Sequence, residues 1–466
     1  MILKIRKGLD IPIKGNPSNS DIVEVSSSSI AMDFKPFKSF KIKTVVKEGE
    51  EVLKNQVISF FKNSENIKFL SPCNGLIKSI HRGPKRILEE IIIEKNQRNC
   101  EVPYFSKIDI KEASKQDILN FLSIHGAFSL IKMHPFSLPA IPQMLPKDIF
   151  INLAGNEPFS VPINIQILSF ESQEQALFYF EKGIEILSKI ISKKIHLIYR
   201  SPCLILSEKI KQLCKCTEVI GPYPSGCTSL HIYKMSPIIS EKDIIWSLSF
   251  NETASIGYLT NNGYLYNKKI MALAGPSLNE KERRYIKIEI GSSLKKIVPQ
   301  RINQEKHSII LGSPLSGILS KNIDEDHLGL FDNIVSVIPK NQKREFFHFL
   351  KIGSKKFTAT RTYLSGFLRF LKKEFDFTTN QHGELRAFID PFVYNSFAPM
   401  NIHIVNLAKA ILAENFDLAK KLGFLEISKE DCALATFICP SKNNILEIIQ
   451  QGQEKYVQES DFLPFH

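Results

Sequence analysis

The chain has 466 residues, ordinary apolar content and a formal charge of +13. At roughly 150 residues per domain this predicts three domains, or four if one is small, each able to bury a core. No stretch approaches the roughly 18 apolar residues of a membrane span, and the N-terminus MILKIRKGLD lacks the apolar segment of a secretory signal. The basic residues carry no nucleic-acid signature. Their surplus reads either as a lysine-rich solvated surface or as a docking face for an anionic partner.

Residues 1–104 predict a β domain. Short β-branched runs at Val57–Phe61, Leu76–Ile80 and Ile91–Ile93 alternate with Gly, Pro and Asn turns. The rhythm of 46–77, VKEGEEVLKNQVISFFKNSENIKFLSPCNGLI, is that of a biotinyl or lipoyl carrier barrel. The position a carrier lysine would take, nine residues past Gln56, is Glu65, flanked by Lys62 and Lys68. The barrel is therefore expected without cargo. Asn99–Ser106 reads as a linker.

Residues 105–254 switch to alternating strands and helices. Ser114-x-x-Asp117 opens a helix ending near Gly126. Strands are expected at Phe150–Ala154, Ile195–Tyr199, Thr217–Ile220 and Ile244–Phe250, and helices at Glu171–Lys193 and Ser207–Cys214. This pattern predicts a Rossmann-like α/β domain. Residues 255–340 return to short strands (Ile270–Ala274, Tyr285–Ile290, His307–Leu311) around a turn at Gly291, as in a small β-grasp module. Residues 341–466 become mainly helical, with helical spacing at Ile404–Glu414, Leu418–Leu422 and Ile445–Gln453. The fold class is thus mixed α/β and α+β.

Three chemistries are tested by the residues. A phosphate loop is absent: Gly155-Asn156-Glu157-Pro158 has one glycine, and Gly221-Pro222-Tyr223-Pro224-Ser225-Gly226 has two prolines that remove amides. The segment Cys432–Lys442 contains the Cys439-Pro440 pair that closes many ferredoxin motifs. It lacks the other closely spaced thiolates of a cluster, so it reads as a relic. The eight cysteines (73, 100, 203, 214, 216, 227, 432 and 439) include no C-x-x-C pair and are expected as reduced thiols.

Motifs along the whole chain resemble one family. They are Arg6-Lys7-Gly8-Leu9-Asp10-Ile11-Pro12-Ile13-x-Gly15, Ser71-Pro72-x-x-Gly75, Arg82-Gly83-x-Lys85-Arg86 and His134-Pro135-Phe136-Ser137. Gly221-Pro222-x-Pro224-x-Gly226, Ala272-Leu273-Ala274-Gly275-Pro276, Thr360–Ser365 and Phe437–Lys442 continue the set. Together they resemble the A-subunit family of the sodium-translocating NADH:quinone oxidoreductases, Na(+)-NQR, of the chlamydial type. That family is related to the flavoprotein subunit of complex I and to the C subunit of the Rnf complex. A flavin or iron–sulfur oxidoreductase of either type is the alternative reading.

The resemblance implies a biotinyl/lipoyl-like barrel, a Rossmann-like domain without a flavin loop and an SLBB-like β-grasp module. It also implies a peripheral subunit on the cytoplasmic face of the bacterial inner membrane, held there by association with five others. The complex would use NADH, reduce ubiquinone and export Na+, with flavins and iron–sulfur centres in the partner subunits. No cofactor, metal or catalytic residue is expected in this chain, and no nucleic acid partner. A quinone site needs apolar walls and one or two hydrogen-bonding groups. Two stretches fit: Met32–Phe37, with Phe34 and Phe37, and His134–Pro139, with His134 and Phe136. The alternative is that both pack domain interfaces. Arg361, Thr362 and Ser365 are candidates to anchor a neighbouring protein of the complex.

Overall fold

The computed structural model describes residues 1–18, 22–96, 108–341, 374–388 and 391–464, together with 350, 352–354, 356–360 and 362–367. Cys100, Arg361 and the expected linker at 99–106 lie outside the described residues. Among the described residues no helix is long and apolar enough to cross a membrane.

The barrel is built from two small sheets. One pairs Ser29–Asp33, Leu88–Lys95, Gly75–Arg82 and Glu51–Val52; the other pairs Ile42–Thr44, Val57–Phe61 and Ser64–Leu70. Between them sits an aromatic core. Phe40 stacks on Phe61 at 4.7 Å, and Phe37 and Phe34 meet Phe69 edge to face at 4.9 and 5.0 Å. Such offset geometries suit the ring quadrupoles. The hairpin that would bear a carrier lysine turns at Lys62-Asn63, because Phe61 pairs with Ser64. Lys62 is therefore at the tip and Glu65 lies along the second strand. The tip falls earlier than the carrier spacing predicts, because the two strands pair up to Phe61 and Ser64 and leave only Lys62 and Asn63 to turn.

The α/β domain carries a seven-stranded sheet in the order Ile2–Lys4, Cys214–Ile220, Ile195–Tyr199, Asp148–Asn152, Ile245–Leu248, Lys132–His134, Leu138–Pro139. The five strands from Ile2–Lys4 to Ile245–Leu248 are parallel, and each of the last two pairs antiparallel with the strand before it. Ser114 and Asp117 form the expected capping box on helix Lys115–Ile124. The helix expected at Glu171–Lys193 is Gln173–Ser188. Its backbone touches helix Phe250–Asn262: a Cβ on Gly183 would lie 1.9 Å from the Thr253 carbonyl oxygen, and one on Gly257 would lie 1.8 Å from that of Tyr179.

Helix Phe250–Asn262 corrects the expectation of short strands from 255, and the boundary expected at 254/255 falls inside it. The N-terminal segment differs as well. Ile2–Lys4 pairs with Cys214–Ile220, and Ile22–Val25 pairs with Arg284–Glu289. Only Ser29 onward belongs to the barrel sheets.

The third sheet is mixed, in the order Ile318–Leu319, His307–Leu311, Ile334–Pro339, Lys268–Ala274, Arg284–Glu289, Ile22–Val25. It packs over the short helical turn Leu294–Lys296 as a β-grasp module. Helices Phe392–Phe397, Ile404–Leu412, Phe416–Lys421, Lys429–Ile438 and Ile445–Glu459 complete the chain. They share an apolar core with the face of the α/β sheet that bears Phe150, Ile198 and Ile245.

Candidate functional site

In a doubly wound sheet, ligands bind beyond the carboxyl ends of the strands where the strand order reverses. Here that point lies at Asp148–Asn152, between Ile195–Tyr199 and Ile245–Leu248. The loop after Asp148–Asn152 bonds to the loop after Cys214–Ile220, one strand further out. Asn152 Nδ2 donates to Gly226 O at 2.8 Å, Asn156 Nδ2 donates to Ser225 Oγ at 3.2 Å, and Gly226 N donates to Asn156 Oδ1 at 2.9 Å. Arg200 donates to Ala154 O at 3.0 Å, Gly221 O at 3.1 Å and Ser225 Oγ. Gly226 fits because a Cβ there would stand 2.3 Å from Ala154 O. Asp10 accepts from the Tyr223 amide at 2.9 Å, and Tyr223 Oη donates to Glu430 O at 3.1 Å. The N-terminal segment and a C-terminal helix thus close the crevice from both sides.

Beside it Glu157 accepts from Ser316 at 3.2 and 3.3 Å, linking the α/β and β-grasp domains. Burial, with the nearby Glu430 carboxylate, pushes Glu157 up to about 7. Burial acts in the same direction on Glu430, but Lys429 and Lys132 hold it below the ordinary range. One acid of the pair thus keeps its proton while the other stays ionised. A carboxyl whose pKa is raised on folding binds more protons folded than unfolded, so its stabilisation is lost as pH rises from about 4.5 through about 7. Glu157→Gln should therefore be more stable than the parent at pH about 8, by on the order of 1–3 kcal/mol, and close to it at pH about 5. Denaturant unfolding at the two pH values checks this; an equal difference at both would exclude titration of Glu157 as the cause.

The segment of the relic ferredoxin motif is mostly helix, Lys429–Ile438, capped by Ser428 and Asp431. Cys432 is buried in that helix. Cys439 ends it, with its Sγ 2.9 Å from Tyr394 Oη and accepting from the Asn443 amide at 3.2 Å. Among the described residues no cluster of His, Cys, Asp and Glu could hold a metal ion.

A separate cavity of about 110 Å³ lies where barrel, α/β domain and β-grasp module meet. Phe37 and Phe69 give it a barrel wall, Leu130 an α/β wall, and Leu265 and Leu330 the third side. Asp33, Lys54 and Asn55 are among the polar residues that line it. Asp33 accepts from the amides of Lys35 at 3.0 Å and Leu330 at 3.4 Å, and burial pushes its carboxyl up to about 6. Lys54 holds its ammonium 3.7 Å over the Tyr264 ring, and burial lowers its pKa. Asn55 is 6% exposed, and its Nδ2 has no hydrogen-bond partner among the described residues. A buried amide donor without a partner is costly unless a ligand or water meets it.

The four residues expected near a quinone separate. Phe37 lines this cavity, while Phe34 is sealed behind it in the barrel core. His134 does not line it: its Nε2 lies 2.8 Å from Ser247 Oγ, and burial brings its pKa down to about 4. Phe136 packs instead on Phe424, Tyr456 and Phe462 of the C-terminal region. The two stretches do adjoin, through the contact of Lys35–Phe37 with Leu138–Pro139. The histidine on the cavity wall is His125, at the end of helix Lys115–Ile124. Thr362 Oγ1 pairs with Thr360 Oγ1 at 2.5 Å, and Ser365 Oγ donates to Lys356 O.

Three family models match: the NqrA N-terminal barrel-sandwich hybrid domain over residues 3–96, the NqrA second alpha/beta domain over 113–265 and the NQRA C-terminal domain over 270–322. Over its full length the chain is 35% identical to the A subunit of the Na(+)-translocating NADH-quinone reductase of Chlamydia pneumoniae, with 100% of both chains covered. The chain belongs to the NqrA family, the A subunits of the Na(+)-translocating NADH-quinone reductases. The NqrA-family protein of Yersinia pseudotuberculosis is 29% identical over 95% of this chain and 96% of that one. A solved structure of an NAD+-reducing [NiFe]-hydrogenase covers 76% of this chain and 65% of its own at a TM-score of 0.37 and 12% identity, a likeness too slight to bear on function.

Proposed function

We propose that the chain is a peripheral subunit of a complex that oxidises NADH, reduces ubiquinone to ubiquinol and exports Na+. It sits on the cytoplasmic face of the inner membrane with five partner subunits, which hold the flavins and iron–sulfur centres. Its own part is assembly of the complex and a place at or near the quinone-reduction step. Full-length similarity to proteins of the NqrA family supports the membership. The junction cavity supports the quinone part. Phe37, Leu130 and Leu330 offer apolar walls for a ring, and Asn55 Nδ2 and Lys54 Nζ offer donors for its carbonyl oxygens. Phe34 keeps Phe37 in place from behind, whereas His134 and Phe136 contribute through packing.

Leu130→Trp would fill the cavity without removing either donor. In the assembled complex it should raise the Michaelis constant for quinone about tenfold or more, equivalent to about 1.4 kcal/mol of lost binding. NADH oxidation with an artificial acceptor should be unchanged. An unaltered quinone dependence in a fully assembled Leu130→Trp complex would leave the chain with an assembly role alone.

A further inference from the structure

The motif Arg82-Gly83-Pro84-Lys85-Arg86 plays no part in either site above. It forms the tip of the hairpin between strands Gly75–Arg82 and Leu88–Lys95. Lys85 and Arg86 are consecutive residues in the left-handed region, at φ 54° and 60°. A side chain bearing a Cβ is disfavoured there, and two in succession is a conformation that the surroundings must enforce. They do so through backbone and side-chain bonds. Gly83 N donates to Ile87 O at 2.8 Å, Arg86 N donates to Gly83 O at 3.1 Å, and Arg82 donates to Arg86 O at 3.3 Å and Thr44 Oγ1 at 3.1 Å.

Lys85 and Arg86 are both exposed. Among the described residues neither makes an ion pair, although His81 pairs with Glu90 on the same hairpin. The tip is therefore a fixed backbone that presents three cations, Arg82, Lys85 and Arg86, with no carboxylate partner among the described residues. Its setting mixes both signs, with exposed Lys78 on the same strand and exposed Lys43 beside Thr44. Glu89 lies against Gly83, and Glu48 accepts from the Ile80 amide at 2.7 Å. The carboxylates break up the positive field at the base of the hairpin and confine it to the narrow tip, which suits a narrow acidic element better than a flat anionic membrane.

We propose that this hairpin tip docks a short segment rich in Asp and Glu on another protein of the complex. The proposal rests on the reading of the chain as a subunit. A backbone already fixed costs no further ordering on binding, and charge complementarity sets partner choice and register.

The test uses the whole complex, purified in detergent through a tag on a different subunit. It follows how much of this chain stays bound as NaCl is raised. Lys85→Glu/Arg86→Glu should weaken retention at least about tenfold and flatten its salt dependence. Lys85→Gly/Arg86→Gly should also weaken it, while the unfolding midpoint of the isolated chain stays level or rises, because glycine adopts these φ values freely. That opposition separates docking from a folding defect. Retention of either variant equal to that of the parent chain overturns the proposal. So does normal retention accompanied by lost binding to phosphatidylglycerol-containing vesicles, which would assign the tip to lipid. If the unaltered chain fails to co-purify at low salt, the subunit reading falls and takes this one with it.

Discussion

Gly257→Val is expected to destabilise the chain by about 3 kcal/mol or more, since overpacking against unyielding neighbours costs up to and beyond that amount. The atoms that a new Cβ would strike are main-chain atoms: Tyr179 O at 1.8 Å and Gly183 N at 2.6 Å. No rotamer change can relieve them, so helices Gln173–Ser188 and Phe250–Asn262 would have to separate. Separation would uncover the contacts between Phe180 and Phe250 at 5.2 Å and between Tyr179 and Tyr258 at 4.8 Å. Gly257→Ala should cost less, because alanine returns about 1 kcal/mol of helix propensity. The pair Gly183→Ala and Gly257→Ala should cost less together than the sum of the two, since one displacement relieves both clashes. Denaturant unfolding of the three variants checks this. A Gly257→Val chain that unfolds with the parent would mean the helices are not in backbone contact.

Phe136→Ala is expected to cost about 3 kcal/mol, the low end for a phenylalanine truncation because the ring is only partly buried. The loss should be local. Phe136 reaches from the loop after strand Lys132–His134 into a cluster with Phe424 at 5.6 Å, Tyr456 at 5.6 Å and Phe462 at 5.1 Å. The ion pair of Lys38 with Glu454 at 2.5 Å ties the barrel to the same helix. Hydrogen exchange in Ile404–Leu412 and Ile445–Glu459 should quicken well before that in the parallel sheet. In assembled complexes the quinone dependence of Phe136→Ala and His134→Ala should match the parent. Equal protection of the C-terminal helices in variant and parent would show that something other than Phe136 fastens them.

What is legible in the sequence is local. The runs Ile195–Tyr199 and His307–Leu311 are strands residue for residue, because β-branched and apolar side chains fill both faces of a buried strand. Ser114 and Asp117 mark a helix start by a bond pattern that spans only four residues. The same pattern recurs twice where other features mask it. Ser249 with Glu252 starts helix Phe250–Asn262, hidden behind the apolar run before it. Ser428 with Asp431 starts Lys429–Ile438, where the cysteines point instead toward metal chemistry. Other features have no local signal at all. Ile2 pairs with Glu218 and Ile22 with Tyr285, contacts that no window of neighbouring residues contains. The cavity draws Asn55, Leu130 and Leu330 from distant stretches, so only Met32, Asp33 and Phe37 of its wall fall within the Phe-rich stretch Met32–Phe37.

The dispersal of the first 25 residues bears on the timing of synthesis. Ile2–Lys4 has no strand to join until Cys214–Ile220 has left the ribosome, and Ile22–Val25 waits for Arg284–Glu289. At roughly 5–20 residues per second, that leaves these two strands unpaired for on the order of 10–60 s. The barrel between these strands and their partners can close early, while its leading end trails free. A nascent chain of this kind offers chaperones a long window on its first residues. A bulky group at Met1, whose amino group lies 3.3 Å from Cys216 O, would be carried into the edge of the α/β sheet when that late pairing forms.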